Sequence, residues 1–110
     1  MYRERVRQMV LRDRNYPCVL FWSAGNESGE GFNITEAIKE GRKYDHTRYW
    51  MYGGNAYAHP AEEIIGPRYP LPIELEMQTG IIPDKNDRRP SFMDEYLSVA
   101  GNGGGGLDDY

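Results

Sequence analysis

Tyr2, Val6, Met9 and Val10 recur at helical spacing, while Arg3, Arg5, Arg7, Arg12 and Arg14 fall largely on other faces. The chain is therefore predicted to open with an amphipathic helix over Tyr2–Arg14. Asn15-Tyr16-Pro17 ends it, because the residue before a proline is pushed out of the α region. Cys18-Val19-Leu20-Phe21-Trp22 is a continuous apolar run without alternation, too short for a core helix. Such a run predicts a strand buried on both faces, the kind that builds parallel sheets. Ser23 to Gly31 follows as a glycine-rich loop, and Asn33 stands three residues before Glu36 as a capping-box-like start. Ile34, Ala37, Ile38 and Tyr44 predict a second helix over Ile34–Tyr44. The aromatic run Arg48–Tyr52 predicts a second strand, ended by Gly53-Gly54.

Further along, Ile64-Ile65-Gly66 reads as a short third strand, and Pro72 as the first position of a helix reaching Gly80. Ser91-Phe92-Met93-Asp94 reads as a fourth strand leading into Glu95-Tyr96, and the residues after Gly101 read as loop. Strands alternating with helices imply an α/β fold with a parallel sheet. From Cys18 to Tyr49 the chain advances 31 positions, close to the ~31 residues per unit of a (β/α)₈ barrel.

Composition narrows the function classes. A chain of 110 residues is one small domain at most. Thirteen glycines and seven prolines are a heavy share of loop for so short a domain, and suggest a piece of something larger. Thirteen basic against seventeen acidic residues give a net charge of −4. That balance argues against nucleic acid as a partner, which needs a basic face, and leaves the arginines of the first helix as a solvated surface. No apolar run approaches the roughly 20 residues that span a bilayer, so no membrane association is expected. No secretion signal stands at the start of the chain. Cys18 is the only cysteine, which excludes an internal disulfide and leaves the compartment unassigned.

Parallel α/β proteins place their chemistry at the carboxyl ends of strands. Two glutamates stand there. Glu27 follows the first strand between Gly25 and Gly29, and Glu95 follows the last, between Phe92 and Tyr96. A carboxylate pair is the machinery of glycoside hydrolysis: one carboxylic acid protonates the leaving oxygen, and the other attacks the anomeric carbon or activates water. The acid needs a raised pKa, and a nearby negative partner supplies part of the rise. His46 and His59 lack metal-ligand spacing, and neither is read as catalytic.

The stretch Met9-Val10-Leu11-Arg12-Asp13-Arg14-Asn15-Tyr16-Pro17, followed by Phe21-Trp22-Ser23-Ala24-Gly25-Asn26-Glu27-Ser28-Gly29, resembles the acid/base signature of glycoside hydrolase family 2. The match is best to its β-galactosidase branch. Glu95-Tyr96-Leu97-Ser98-Val99-Ala100-Gly101-Asn102 resembles the family's second signature, headed by the nucleophile. The resemblance runs essentially from Val6 to Tyr110. It implies a (β/α)₈ TIM barrel, with the acid/base after the fourth strand and the nucleophile after the seventh, so that this chain would supply approximately the fourth to seventh strands. It further implies Glu27 as acid/base and Glu95 as nucleophile, with Asn26, Tyr69 and Asn102 binding substrate. Asn26 would bond the sugar 2-hydroxyl, and Tyr69, in the segment Ile64-Ile65-Gly66-Pro67-Arg68-Tyr69, would approach the nucleophile. Ser98 stands where the best-known β-galactosidases carry a sugar-contacting histidine, a departure that bears on sugar preference. No cofactor is required. Members of this type can hold Mg²⁺ near the acid/base, and only Glu27 could contribute from this chain.

The expected function is that of a retaining β-glycoside hydrolase acting on terminal β-linked sugars of an oligosaccharide or glycoside by double displacement, with homo-oligomers possible at full length. The rival is a catalytically incomplete segment that only binds carbohydrate or serves structure, with Trp22, Trp50, Tyr52 and Tyr57 stacking on sugar faces. Four strands cannot close an eight-stranded barrel, so the 110 residues alone are expected to fold weakly or to associate.

Overall fold

Four regular elements follow from the hydrophobic pattern: helix α1 (Tyr2–Asp13), strand β1 (Trp22–Asn26), helix α2 (Phe32–Arg42) and strand β2 (Trp50–Gly53). They belong to a computed structural model that describes residues 1–27, 31–53, 60–66, 68–69 and 89–95. The helix expected over 72–80 and the loop expected after Gly101 lie outside the described residues.

The first helix forms as its periodicity requires. Val6 and Val10 are buried, and the Arg14 backbone N–H donates to Val10 O to close the last turn. Arg3, Arg5, Arg12 and Arg14 are exposed, as a solvated face should be. Arg3 reaches across to Glu36 and ties α1 to α2. In α2 the stripe Ile34, Ala37, Ile38 and Gly41 is buried. That stripe, not a capping box, sets the start of the helix. Gly31 occupies the N-cap position with no side-chain cap, and Asn33 lies inside the helix. Gly41 is required by packing, since a Cβ there would stand 2.2 Å from the Trp50 ring.

β1 begins four residues later than the apolar run suggested. Trp22 is buried, but Cys18 and Leu20 are exposed, Leu20 to 76%. The strand instead runs on through Ser23, Ala24, Gly25 and Asn26, the start of the stretch that reads as a glycine-rich loop. β1 and β2 pair in parallel, with Trp22 opposite Trp50, Ser23 opposite Met51 and Asn26 opposite Gly53, and the register breaks between Ser23 and Asn26. Trp22 and Trp50 stack with ring centroids 5.9 Å apart. They join Val6, Val10, Ala24, Ile34, Ala37, Ile38 and Tyr52 in one core between the helices and the strands. Burial of each large side chain contributes roughly 1.5–3 kcal/mol.

The third and fourth expected strands are realised as single parallel bridges. Glu63 and Ile64 donate their backbone N–H groups to Trp50 O, which lays this segment beside β2. Ile65 bridges Ser91 and Arg68 bridges Glu95, both in parallel. Four chain segments thus lie side by side and run the same way, in the order of the sequence. Arg42 holds the third to α2, donating to Ala61 O at 2.8 Å and meeting Glu63 at 3.1 Å.

Candidate active site

The carboxyl ends of the four segments bring Glu27, Gly53, Arg68 with Tyr69, and Asp94 with Glu95 together. Glu27 directly follows β1, and its backbone N–H donates to Gly53 O at 2.8 Å. The Tyr69 N–H donates to Glu95 O at 2.9 Å, so backbone pairing fixes the third end against the fourth. The Tyr69 hydroxyl donates to Glu95 Oε2. The two glutamates, 68 positions apart in sequence, converge as expected.

They converge on Arg68, which no sequence pattern marks as a site residue. The Arg68 side chain is 6% exposed. Its Nη1 lies 3.1 Å from Glu27 Oε1 and 2.7 Å from Glu95 Oε1, and its Nη2 donates to Asp94 Oδ2 at 2.8 Å. The contacts to the two glutamates are ion pairs off the line of an N–H bond, whereas the bond to Asp94 is a well-directed one. Burial alone would weaken the guanidinium's hold on its proton. The hydrogen bond to Asp94, the contact with Glu27 and the charges of Asp94 and Glu95 outweigh it, and its pKa stands above the ordinary value. Gly53 makes room for this group, since a Cβ there would lie 2.6 Å from both Arg68 Nη2 and Asp94 Oδ2.

Two site residues have left-handed backbones. Glu27 has φ 43° and Tyr69 has φ 45°. A non-glycine residue there costs about 1–3 kcal/mol, a cost that clusters at functional sites. No other non-glycine among the described residues has positive φ.

Asn26 ends β1 opposite Gly53 and is exposed beside Glu27. Asn102 and Tyr57 lie outside the described residues. Trp22, Trp50 and Tyr52 are 4%, 0% and 1% exposed. They are core residues and offer no face to a sugar, which removes three of the four stacking aromatics of the binding-only reading. Among the described residues no three His, Cys, Asp or Glu side chains cluster to hold a metal ion. The three carboxylates of the site face a guanidinium, an arrangement that does not fit Mg²⁺ from this chain's residues alone. Among the described residues no helix is long and apolar enough to cross a membrane.

The chain matches the family model described as glycosyl hydrolases family 2, TIM barrel domain, over residues 1–110. It is similar to proteins named beta-galactosidase from Pectobacterium atrosepticum (36% identical), Vibrio vulnificus (34%) and Photobacterium profundum (30%). Each alignment covers 99% of this chain and 11% of the relative. The chain thus spans about a ninth of the length of these curated relatives.

Proposed function

The chain belongs to the family 2 glycosyl hydrolases, within their TIM-barrel domain, and on that premise we propose that it carries the catalytic pair of a retaining β-glycosidase of the β-galactosidase type. The four parallel segments are taken as the fourth to seventh strands of the barrel. The observation that carries the reading is the meeting of Glu27 and Glu95 on one nitrogen. Because Nη1 of Arg68 lies 3.1 Å from Glu27 and 2.7 Å from Glu95, their Oε1 atoms are no more than about 6 Å apart, which is compatible with the close carboxyl pair, ~5–5.5 Å, that retention needs.

In this reading the Glu95 carboxylate attacks the anomeric carbon of a terminal β-linked sugar. The glycosidic C–O bond breaks as the Glu27 carboxylic acid gives its proton to the departing oxygen. The sugar is left as an ester on Glu95. Glu27, now a carboxylate, takes a proton from water, and the water oxygen displaces Glu95 from the anomeric carbon. Two displacements at one carbon preserve its configuration. The Tyr69 hydroxyl, which donates to Glu95, orients the nucleophile in this reading, and the sugar-binding roles of Asn26, for the 2-hydroxyl, and of Asn102 rest on the family resemblance. These steps move only protons and the glycosyl group, so the reading asks for no redox or group-carrying cofactor.

The test uses a complete barrel enzyme carrying these 110 residues. An aryl β-galactoside should be hydrolysed, with the β-anomer as the first-formed sugar by proton NMR, and Glu95→Gln should lower kcat by more than 10³-fold. Release of the α-anomer, or unchanged turnover in Glu95→Gln, would overturn the reading.

A further inference from the structure

The buried guanidinium of Arg68 offers more than charge balance. Asp94 holds its Nη2 by a directed hydrogen bond of 2.8 Å, and Gly53 leaves the space that the group occupies. With Nη2 anchored, Nη1 is turned towards Glu27 and Glu95 together. Each glutamate belongs to a different strand end, and Arg68 stands on the segment between β2 and the last strand end. Backbone bridging to Glu95 fixes that segment. The side chain therefore spans the gap that the backbone leaves open, from Glu95 across to β1.

We propose that Arg68 is a positioning residue of the catalytic pair, anchored by Asp94 and seated on Gly53, which sets the separation and orientation of Glu27 and Glu95. The inference rests on the reading of these glutamates as acid/base and nucleophile. The physical argument is one of charge and reach. Two carboxylates left alone repel each other, and each has several staggered rotamers. Glu27, with a side chain 56% exposed, would be drawn outwards into water. A guanidinium between them reverses the sign of the local interaction and selects the rotamers that point inwards. The off-line contacts matter too. They hold Glu27 and Glu95 through charge alone, with no directed hydrogen bond from Nη1. Asp94, which takes the directed bond, is thus the fixed end of the arrangement.

Such a role acts on geometry at the reacting centre, where misplacement by an ångström costs on the order of 10²-fold. In a complete barrel enzyme carrying these residues, Arg68→Gln should lower kcat by roughly 10–10²-fold with KM changed by less than about threefold. Arg68→Lys, which keeps the charge, should recover part of the loss. Added azide should not restore turnover in Arg68→Gln, because the base is still present. Gly53→Ala serves as a second variant. It keeps every charge but pushes the guanidinium off its seat, and should lower kcat in the same direction without unfolding the protein, since the displaced atoms are the ends of flexible side chains. If Arg68→Gln fails to fold, Gly53→Ala alone decides. Folded variants with kcat within threefold of the parent would overturn the proposal. A rise in KM at unchanged kcat would do the same, by making Arg68 a sugar contact. Glu95→Gln is assayed alongside. If it stays active, the reading of the pair has failed. If it is inactive while Arg68→Gln and Gly53→Ala are not, only this inference has failed.

Discussion

Glu27 is the residue where backbone and chemistry meet most tightly. Its left-handed φ of 43° turns the chain sharply at the end of β1, and its N–H bonds Gly53 O across to β2. The sequence pattern put this glutamate after a strand, as it is, although the strand begins later than the pattern suggested. The reason is that Ser23-Ala24-Gly25-Asn26 looks like a turn by composition while acting as a ladder. A Cβ at Gly25 would meet the Tyr2 hydroxyl and the Tyr52 ring at 3.4 Å, so this part of the strand lies against the core. Arg68 was not legible as a site residue, because its partners are scattered over Glu27, Asp94 and Glu95 and meet only in three dimensions. The available signal was an arginine two residues after the buried run Ile64–Gly66. An activated aryl leaving group departs without a proton, so Glu27→Ala should retain a burst of phenol release and then stall as the glycosyl ester. Acid–base assistance is worth roughly 10²–10⁴-fold. Azide, which attacks without a base, should therefore speed turnover of this variant at least tenfold, measured by phenol absorbance. No response to azide would contradict the assignment.

Among elements, β1 and β2 are joined below the site by a buried polar hub. Asp45 accepts from Trp22 Nε1 at 3.0 Å, from the Thr47 N–H and hydroxyl at 2.8 and 2.6 Å, and from Arg48 Nη1 at 2.6 Å. Arg48 in turn donates to Val19 O at 2.6 Å and lies over the Trp22 ring. The turn before β2 is thereby locked to the start of β1, which sets the register that carries Glu27 to Gly53. Nothing in the sequence pattern marks Asp45, an aspartate in a polar stretch; only burial reveals it. Burial pushes its carboxyl pKa up, but the hydrogen bonds from Thr47, Arg48 and Trp22 outweigh it and hold the group well below the usual carboxylate range. A depressed folded-state pKa gives stability that is complete above the unfolded value and is lost as pH falls towards the folded one. The thermal midpoint should therefore drop as pH is lowered from about 5 towards 2. Asp45→Asn should cost roughly 1.5–3 kcal/mol at pH 7 and flatten that acid limb. Calorimetry on both proteins checks this. An Asp45→Asn variant with the parent's midpoint and acid slope would contradict the role.

For the whole molecule, the order of the four regular elements among the described residues was legible because helical and apolar runs alternate. α1 ends at Asp13, one residue short of the expectation, and α2 spans Phe32–Arg42 in place of 34–44. The third and fourth strands were legible as places, at Ile65 and Ser91, but not as extents. A single bridge needs only one pair of backbone groups, and no side-chain alternation reports how far pairing continues. The family of the chain was legible for a different reason. Each of its two long signatures holds one of the two glutamates that the fold brings onto Arg68, Glu27 directly after β1 and Glu95 in the fourth segment. The central claim is that Glu95, brought to Glu27 by four parallel strand ends, forms the covalent bond to the sugar. Mass spectrometry after inactivation by a 2-fluoro β-galactoside with an activated leaving group tests it most directly, in a complete barrel enzyme carrying these residues. The account predicts one fluorosugar, as an ester on Glu95, absent from Glu95→Gln; a label on Glu27, or on neither glutamate, would contradict it.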